Sequence, residues 1–368
     1  MKTNRYRLIA VIFTLFLMIC IASGCEQKSN NGELVNSPEG SLASSTNQLQ
    51  KPKDERIKIG FSMDTLEEER WLRDRRMFIN AVKELGADVK VMEANGNEAL
   101  QISQAERLIS EGVDVLVVVP YNAEAAAAIV NKAHSAGIKV ISYDRLIKNA
   151  EVDLYISFDN EKVGELQAKK ISELVPKGKY VYIGGADTDN NAHLIKKGVY
   201  KILQPLIDKG EIKVVFDQWT TNWIPSNAFN NMEAALKAND NDIDAVIAAN
   251  DATAEEAIKA LAAQGLAGKI PVAGQDAELA AAQRIVEGTQ TMTVYKPLQS
   301  LTLEAAKVAV RLAKGEKVQT NSKVNNGKIE VPSILLPPIA VDRANIDATI
   351  IADGFHLKED VYRKGKNE

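Results

Sequence analysis

From about Arg56 onward the chain alternates between short apolar runs and longer stretches whose apolar residues recur at helical spacing. Ile57–Met63 reads as a strand, and the next stretch places Trp71, Phe78, Val82 and Leu85 on one helical face. Val89–Met92 is again a strand, and Glu98–Glu111 a helix stopped by Gly112. Val113–Val119 is almost continuously apolar, as a strand must be when helices cover both faces of its sheet. Ala123–Ala136 is predicted helical up to Gly137, and Ile138–Ser142 a strand. The alternation restarts after Tyr155–Phe158, with strands at 180–183, 212–216, 245–248 and 272–274. Strand–helix–strand order of this kind demands parallel sheets with right-handed crossovers. There are too many units for one compact sheet, and they form two groups of similar size. The predicted fold is α/β, with two doubly wound parallel-sheet lobes and a crossover between them at Phe158–Asn160.

The first residues follow a different plan. Lys2, Arg5 and Arg7 precede an apolar run from Leu8 to Ile21, and small residues lead to Cys25. This is the layout of a secretory signal peptide. A Cys directly after the small residues resembles a bacterial lipoprotein box, which implies cleavage before Cys25 and lipid on its sulfur. Ala22 stands where that motif favours Leu. Residues 25–55, rich in Ser, Asn, Gly and Gln, read as a flexible tether. The expected location is therefore outside the cytoplasm, on the outer face of the cell membrane, held there by lipid on Cys25. Cys20 and Cys25 are the chain's two cysteines, so no disulfide joins the folded body.

Ligands of open parallel sheets bind outside the carboxyl ends of the strands. The residues standing there are Asp64, Arg70 and Trp71; Tyr121 and Asn122; Asp144 and Arg145; Asp187, Asp189 and Asn191; Trp219 and Trp223; Asn250; Asp276; and Lys296. Carboxylates accept hydrogen bonds, Arg and Lys donate them, and Asn does both. A ring of hydroxyls needs all three, and a Trp face suits the C–H patch of a pyranose. Read singly, several have plainer accounts. Arg70 closes a charged helical run, Asp144 and Arg145 could be a loop ion pair, Trp71 has the spacing of a core residue, and Asn250 and Asp276 could be helix caps.

A net charge of −4 points to no nucleic-acid partner. No P-loop, nucleophile elbow or strand-coupled glycine fingerprint is present, and His134, His193 and His356 are scattered. Neither an enzyme nor a cofactor is expected; a carboxylate pair such as Asp144 and Asp276 is the one combination suggestive of glycosidase chemistry. Asn239–Asp244 fails the calcium-loop pattern at Ala245 and Asp251, and reads as a polar loop.

Glu69-Arg70-Trp71, Asp144-Arg145, Tyr155–Gly164, Asp189-Asn190-Asn191, Asn250–Thr253, Gly274-Gln275-Asp276 and Thr289–Pro297, in this order, closely resemble bacterial D-xylose-binding proteins of the type I periplasmic sugar-binding family. The resemblance runs from about Ile57 to about His356. It implies two lobes joined by a three-strand hinge that close on D-xylose or a related monosaccharide. It implies hydrogen bonds to the sugar from Arg70, Asp144, Arg145, Asp189, Asn191, Asn250, Asp276 and Lys296, with Trp71 and Trp223 as stacking walls. The expected partner is the permease of an ABC importer; the alternative is a membrane sensor kinase that engages the closed form. Residues 56–160 with about 292–325 are assigned to the N-terminal lobe, 161–291 with about 326–356 to the C-terminal lobe, and 357–368 to a tail.

Overall fold

The structure is a computed structural model that describes residues 56–363; the expected signal peptide, Cys25 and the tether lie outside the described residues. The first lobe begins with β1 (Lys58–Met63), α1 (Glu69–Glu84), β2 (Asp88–Glu93), α2 (Glu98–Ser110), β3 (Val115–Val118), α3 (Ala127–Ser135), β4 (Lys139–Tyr143) and β5 (Leu154–Phe158). The second takes α4 (Asn160–Leu174), β6 (Gly178–Ile183), α5 (Asn190–Asp208), β7 (Ile212–Gln218), α6 (Pro225–Ala238), β8 (Ala245–Ala248), α7 (Asp251–Ala263), β9 (Val272–Ala273), α8 (Leu279–Glu287) and β10 (Met292–Tyr295). The chain then returns to the first lobe for α9 (Leu298–Ala313), β11 (Ser322–Asn325) and β12 (Glu330–Leu336). It ends in the second with β13 (Ile339–Asp342) and the short α10 (Lys358–Val361).

Both sheets are doubly wound. The first has the order β11-β12-β5-β4-β3-β1-β2 and the second β13-β10-β9-β8-β6-β7. All pairings are parallel except β11 with β12 and β10 with β13. Helices cover both faces, and so β3 and β8 are buried along their whole length. In the first lobe α1 and α9 seal one face with Phe61, Phe78 and Leu301, while α2 and α3 seal the other with Leu108, Leu116 and Ile129.

Three passages link the lobes: Phe158–Asn160, Tyr295–Leu298 and Leu336–Ile339. Phe158 and Leu336 are paired neighbours, as are Tyr295 and Ile339, which places the passages side by side.

The lobe boundaries differ from the sequence expectation at the second and third passages. Residues 292–295 pair with β9 and β13 in the second sheet, not the first. Residues 330–336 pair with β5 in the first sheet, not the second. In each case the chain completes a strand before crossing, and an apolar strand carries no mark of the sheet it will join. The expected tail also begins too early: Val361 is buried beside Ile285 and Ile350. Residues 123–126 are not in α3. Asn122 Oδ1 accepts from the amides of Glu124 and Ala125, and the Ala123 amide and carbonyl bond Thr188 and Lys148 respectively, so this segment serves tertiary contacts instead.

Helices α4 and α5 cross at two glycines. A Cβ on Gly164 would stand 1.9 Å from the Ile195 carbonyl oxygen, and one on Gly198 1.9 Å from that of Glu161. Backbone cannot yield as a side-chain tip can, so Gly164→Ala or Gly198→Ala must push the helices apart. Each substitution is expected to lower stability by about 2 kcal/mol or more, read as a shift of the urea midpoint. A midpoint equal to the parent's would contradict the close crossing.

Candidate functional site

All ten residues expected at the site line one cavity between the lobes: Arg70, Trp71, Asp144, Arg145, Asp189, Asn191, Trp223, Asn250, Asp276 and Lys296. Each is buried, Trp223 being the most exposed at 9%. The first lobe supplies Arg70 and Trp71 from the first turn of α1, and Asp144 and Arg145 from the end of β4. The second supplies Asp189 and Asn191 at the start of α5, Trp223 before α6, Asn250 at the start of α7, Asp276 after β9 and Lys296 after β10.

Buried charges demand partners, and here they find them in chains. Arg70 Nη2 donates to Asp144 Oδ2 at 2.8 Å, and Arg70 Nε to Asp74 Oδ2 at 3.3 Å. The Tyr143 hydroxyl donates to the other oxygen of Asp74. Arg145 pairs with Asp64 from its own lobe and, through Nε, with Asp189 Oδ2 of the other lobe at 2.9 Å. Lys296 Nζ lies 2.7 Å from Asp276 Oδ1, and Arg70 Nη1 approaches the same oxygen from across the cleft at 3.6 Å. Asn191 Nδ2 donates to the Asp144 carbonyl at 3.0 Å, again between lobes.

The two Trp residues do different work. Trp71 belongs to the core of the first lobe, yet the guanidinium of Arg70 lies 4.2 Å and that of Arg145 5.1 Å from its ring centre. Packing and site-building are thus one role. Trp223 packs on Ala186, Ala192 and Ala249 and donates Nε1–H to Asp189 Oδ2 at 3.1 Å. A Cβ on Gly185 would fall 2.1 Å from its ring, so only glycine lets Trp223 lie there.

Asp189 is a hub rather than a free acceptor. Oδ1 caps α5 through the Asn191 amide at 2.9 Å, and Oδ2 serves Trp223 and Arg145. Asn250 is also a cap, with Oδ1 bonded to the Thr253 amide at 2.9 Å. Both residues are thus helix caps that also line the cavity.

Burial and neighbouring charge set the protonation of the cluster. Burial raises Asp144, but Arg70 and Lys296 outweigh it and hold this carboxyl below its usual range. Burial pushes Asp64 up to about 7 against the pull of Arg145, and Asp74 up to about 6 against that of Arg70. Burial also raises Glu68.

Sequence reasoning did not single out Glu68, Asn160 or Gln275 as site residues, and all three line the cavity. Glu68 sits in the run Glu67-Glu68-Glu69, where nothing in the sequence marks which carboxylate turns to the cavity. Its Oε2 has no hydrogen-bond partner among the described residues. Gln275 stands with Asp276 at the same strand end, where the same rule places it, although only Asp276 is expected there as a ligand-binding residue. Tyr121 and Asp64 line a neighbouring pocket that shares Glu68, Arg145 and Trp223 with the cavity. Among the described residues no group of His, Cys, Asp and Glu is arranged to hold a metal ion.

The cavity is tight, about 30 Å³, and in it Lys296 and Arg70 both turn onto Asp276. Chemically it offers donors and acceptors from both lobes between two indoles. That suits a small neutral molecule bearing several hydroxyls.

A family profile described as "Periplasmic binding protein domain" matches residues 59–317. The D-xylose-binding periplasmic protein of Haemophilus influenzae is 54% identical over 306 residues, 83% of this chain and 92% of its own length. That of Escherichia coli is 53% identical over 305 residues, with the same two coverages of 83% and 92%. A carbohydrate transporter solute binding protein from Chloroflexus aurantiacus, solved with D-glucose, superposes with a TM-score of 0.77 at 34% identity. The match covers 83% of this chain and 98% of that one.

The raised carboxyl of Asp64 makes stability depend on pH with a definite sign. Its folded value of about 7 lies above the ordinary unfolded one near 4. The stabilisation it gives is complete below about pH 4 and is lost as pH rises through about 7. Asp64→Asn removes that dependence. Unfolding free energies of parent and variant should drift apart in the variant's favour between about pH 4 and 7, by on the order of a few kcal/mol. Urea titrations across that range check it; a gap that ignores pH would count against the assignment.

Proposed function

The chain belongs to the periplasmic binding protein domain family, and from that premise we propose that it captures one D-xylose between its lobes and delivers it to the permease of an ABC importer. The observation that carries this reading is the convergence of charged and amide side chains from both lobes, with two indoles, on one cavity. A pyranose there is held by Arg70, Asp144, Arg145, Asn191, Asn250, Asp276 and Lys296, with Trp71 and Trp223 against its faces. Asp189 acts through Arg145, Asn191 and Trp223. On binding, hydroxyls take over contacts now made by Lys296 and Arg70 with Asp276, and the lobes close on the ring. Such a site rejects an analogue that lacks a hydroxyl, because a buried charge is then left short of a partner.

Xylose is favoured over other monosaccharides by the two xylose-binding relatives at more than half identity. An importer is favoured over a sensor kinase because the solved relative with D-glucose is a transporter's solute binding protein. Export follows from the periplasmic relatives and the N-terminal signal pattern; attachment through lipid on Cys25 rests on the sequence motif alone.

Calorimetry with the purified protein should show 1:1 binding of xylose, with weaker binding of hexoses. Arg145→Ala and Asp276→Ala should each cost about 2–4 kcal/mol, since each leaves buried charge unpaired. Parental affinity in both variants would reject the site. For the anchor, mass spectrometry of the protein from its native membrane should find a lipid-modified N-terminal Cys25, absent in Cys25→Ala; an unmodified Cys25 would refute it.

A further inference from the structure

We propose that His356 is a positioning residue for the sugar site. Its imidazole joins helix α1, which carries Arg70 and Trp71, to the second-lobe loop that carries Asp276. The proposal deepens the sugar-binding reading and rests on it.

The ring is buried, and Nε2 stands 2.6 Å from the Ala277 carbonyl oxygen. A carbonyl only accepts, so Nε2 carries the proton. In the neutral ring Nδ1 is then an acceptor, and Arg73 Nη2, which only donates, lies 3.2 Å from it. Partners on opposite lobes thus select the same tautomer. Arg73 is one turn along α1 from Arg70. It also donates to the Phe355 carbonyl at 2.7 Å and lies over the Phe355 ring, 4.4 Å from its centre. Glu69 holds Arg73 in place at 2.7 Å and accepts from the Leu279 amide of the second lobe at 3.3 Å.

On the other side of the ring the backbone is strained. Asp276 and Ala277 have φ of 97° and 54°, values that a residue with a Cβ keeps only where its surroundings enforce them. Three bonds do so: Asp276 N–H to the Val294 carbonyl at 2.9 Å, Ala277 N–H to Thr293 Oγ1 at 3.1 Å, and His356 Nε2–H to the Ala277 carbonyl. The first two come from the loop's own sheet. His356 alone of the three also touches the opposite lobe, and so aligns Asp276 with Arg70.

The joint is sensitive to acid. A second proton on the ring would sit at Nδ1 and face the Arg73 guanidinium. Burial, and then Arg73, hold the imidazole below its usual 6.5, against the Ala277 carbonyl, Glu69 and Asp360. The neutral ring is therefore the joined form, and the joint fails as pH falls below the ordinary histidine range.

The test uses the full chain with His356→Ala and His356→Gln, and xylose affinity from about pH 8 down to about pH 5. His356→Ala should bind about tenfold more weakly at neutral pH, the loss of one buried hydrogen-bonding link. The Gln amide donates and accepts but does not titrate. It should restore most of the neutral affinity and lack the fall that the parent shows toward acid. Site carboxyls are common to parent and variant, so the difference between their profiles isolates the imidazole. Parental affinity in His356→Ala, or an unchanged acid fall in His356→Gln, overturns the proposal. Nitrogen-15 spectra of the imidazole, recorded without sugar, should show the proton on Nε2; a proton on Nδ1 overturns the proposal too. If the parent binds no xylose, the sugar reading fails, and the tautomer still decides the joint.

Discussion

A guanidinium removed from water must be surrounded by acceptors, and Arg145 takes its acceptors from two separate bodies. Asp64 comes from the first lobe and Asp189 from the second, and the Trp71 ring lies alongside. A buried pair of this kind contributes little net stability, because desolvation cancels much of the attraction. What it contributes is register. If the lobes slide by an ångström, one carboxylate loses its donor. Other inter-lobe bonds, such as those from Asn191 to the Asp144 carbonyl and from Ala123 to Thr188, are short-range and work only once that register is set.

Most of the architecture was legible because strand and helix periods differ and because buried parallel strands are apolar throughout. The convergence of these residues on one cavity was legible for a related reason. In a doubly wound sheet, strand ends converge whatever the sequence, so polar residues after apolar runs are brought together by topology. Three things were not legible. Residues 292–295 and 330–336 join the opposite sheets from those expected, because sheet membership is a long-range property. Glu68 is flanked by two further glutamates, and the sequence does not say which of the three turns to the cavity. The backbone at Asp144, Trp223 and Asp276 has positive φ, which nothing in Asp or Trp announces. Such strain persists at a site because aiming a side chain into the cleft matters more than local comfort.

Which cavity residues already serve other side chains also emerges only in three dimensions. Asp189 looks, from its type and place, like one more acceptor for a ligand. Its oxygens are committed to the α5 amide, to Trp223 and to Arg145. Gly185 seems mere loop, yet any side chain there would collide with Trp223. Carboxylate, indole, glycine and arginine form a single assembly, and one indole wall of the cavity depends on a residue with no side chain.

The crowding of acid around the cavity has a physical use. Asp64, Glu68, Asp74, Asp144, Asp189 and Asp276 outnumber Arg70, Arg145 and Lys296, so acceptors exceed fixed cations. A neutral polyol is rich in hydroxyl donors and can fill that deficit, whereas a chloride or a carboxylate cannot. Meanwhile Lys296 and Arg70 lean on Asp276 and keep that charge paired. A ligand must therefore replace ionic contacts with hydroxyl contacts of matching number and direction. A molecule with one hydroxyl missing or inverted breaks an existing contact without making its substitute, and among buried charges that loss is costly. Selectivity in such a cleft arises from the need to outcompete the protein's own side chains as much as from attraction between sugar and protein.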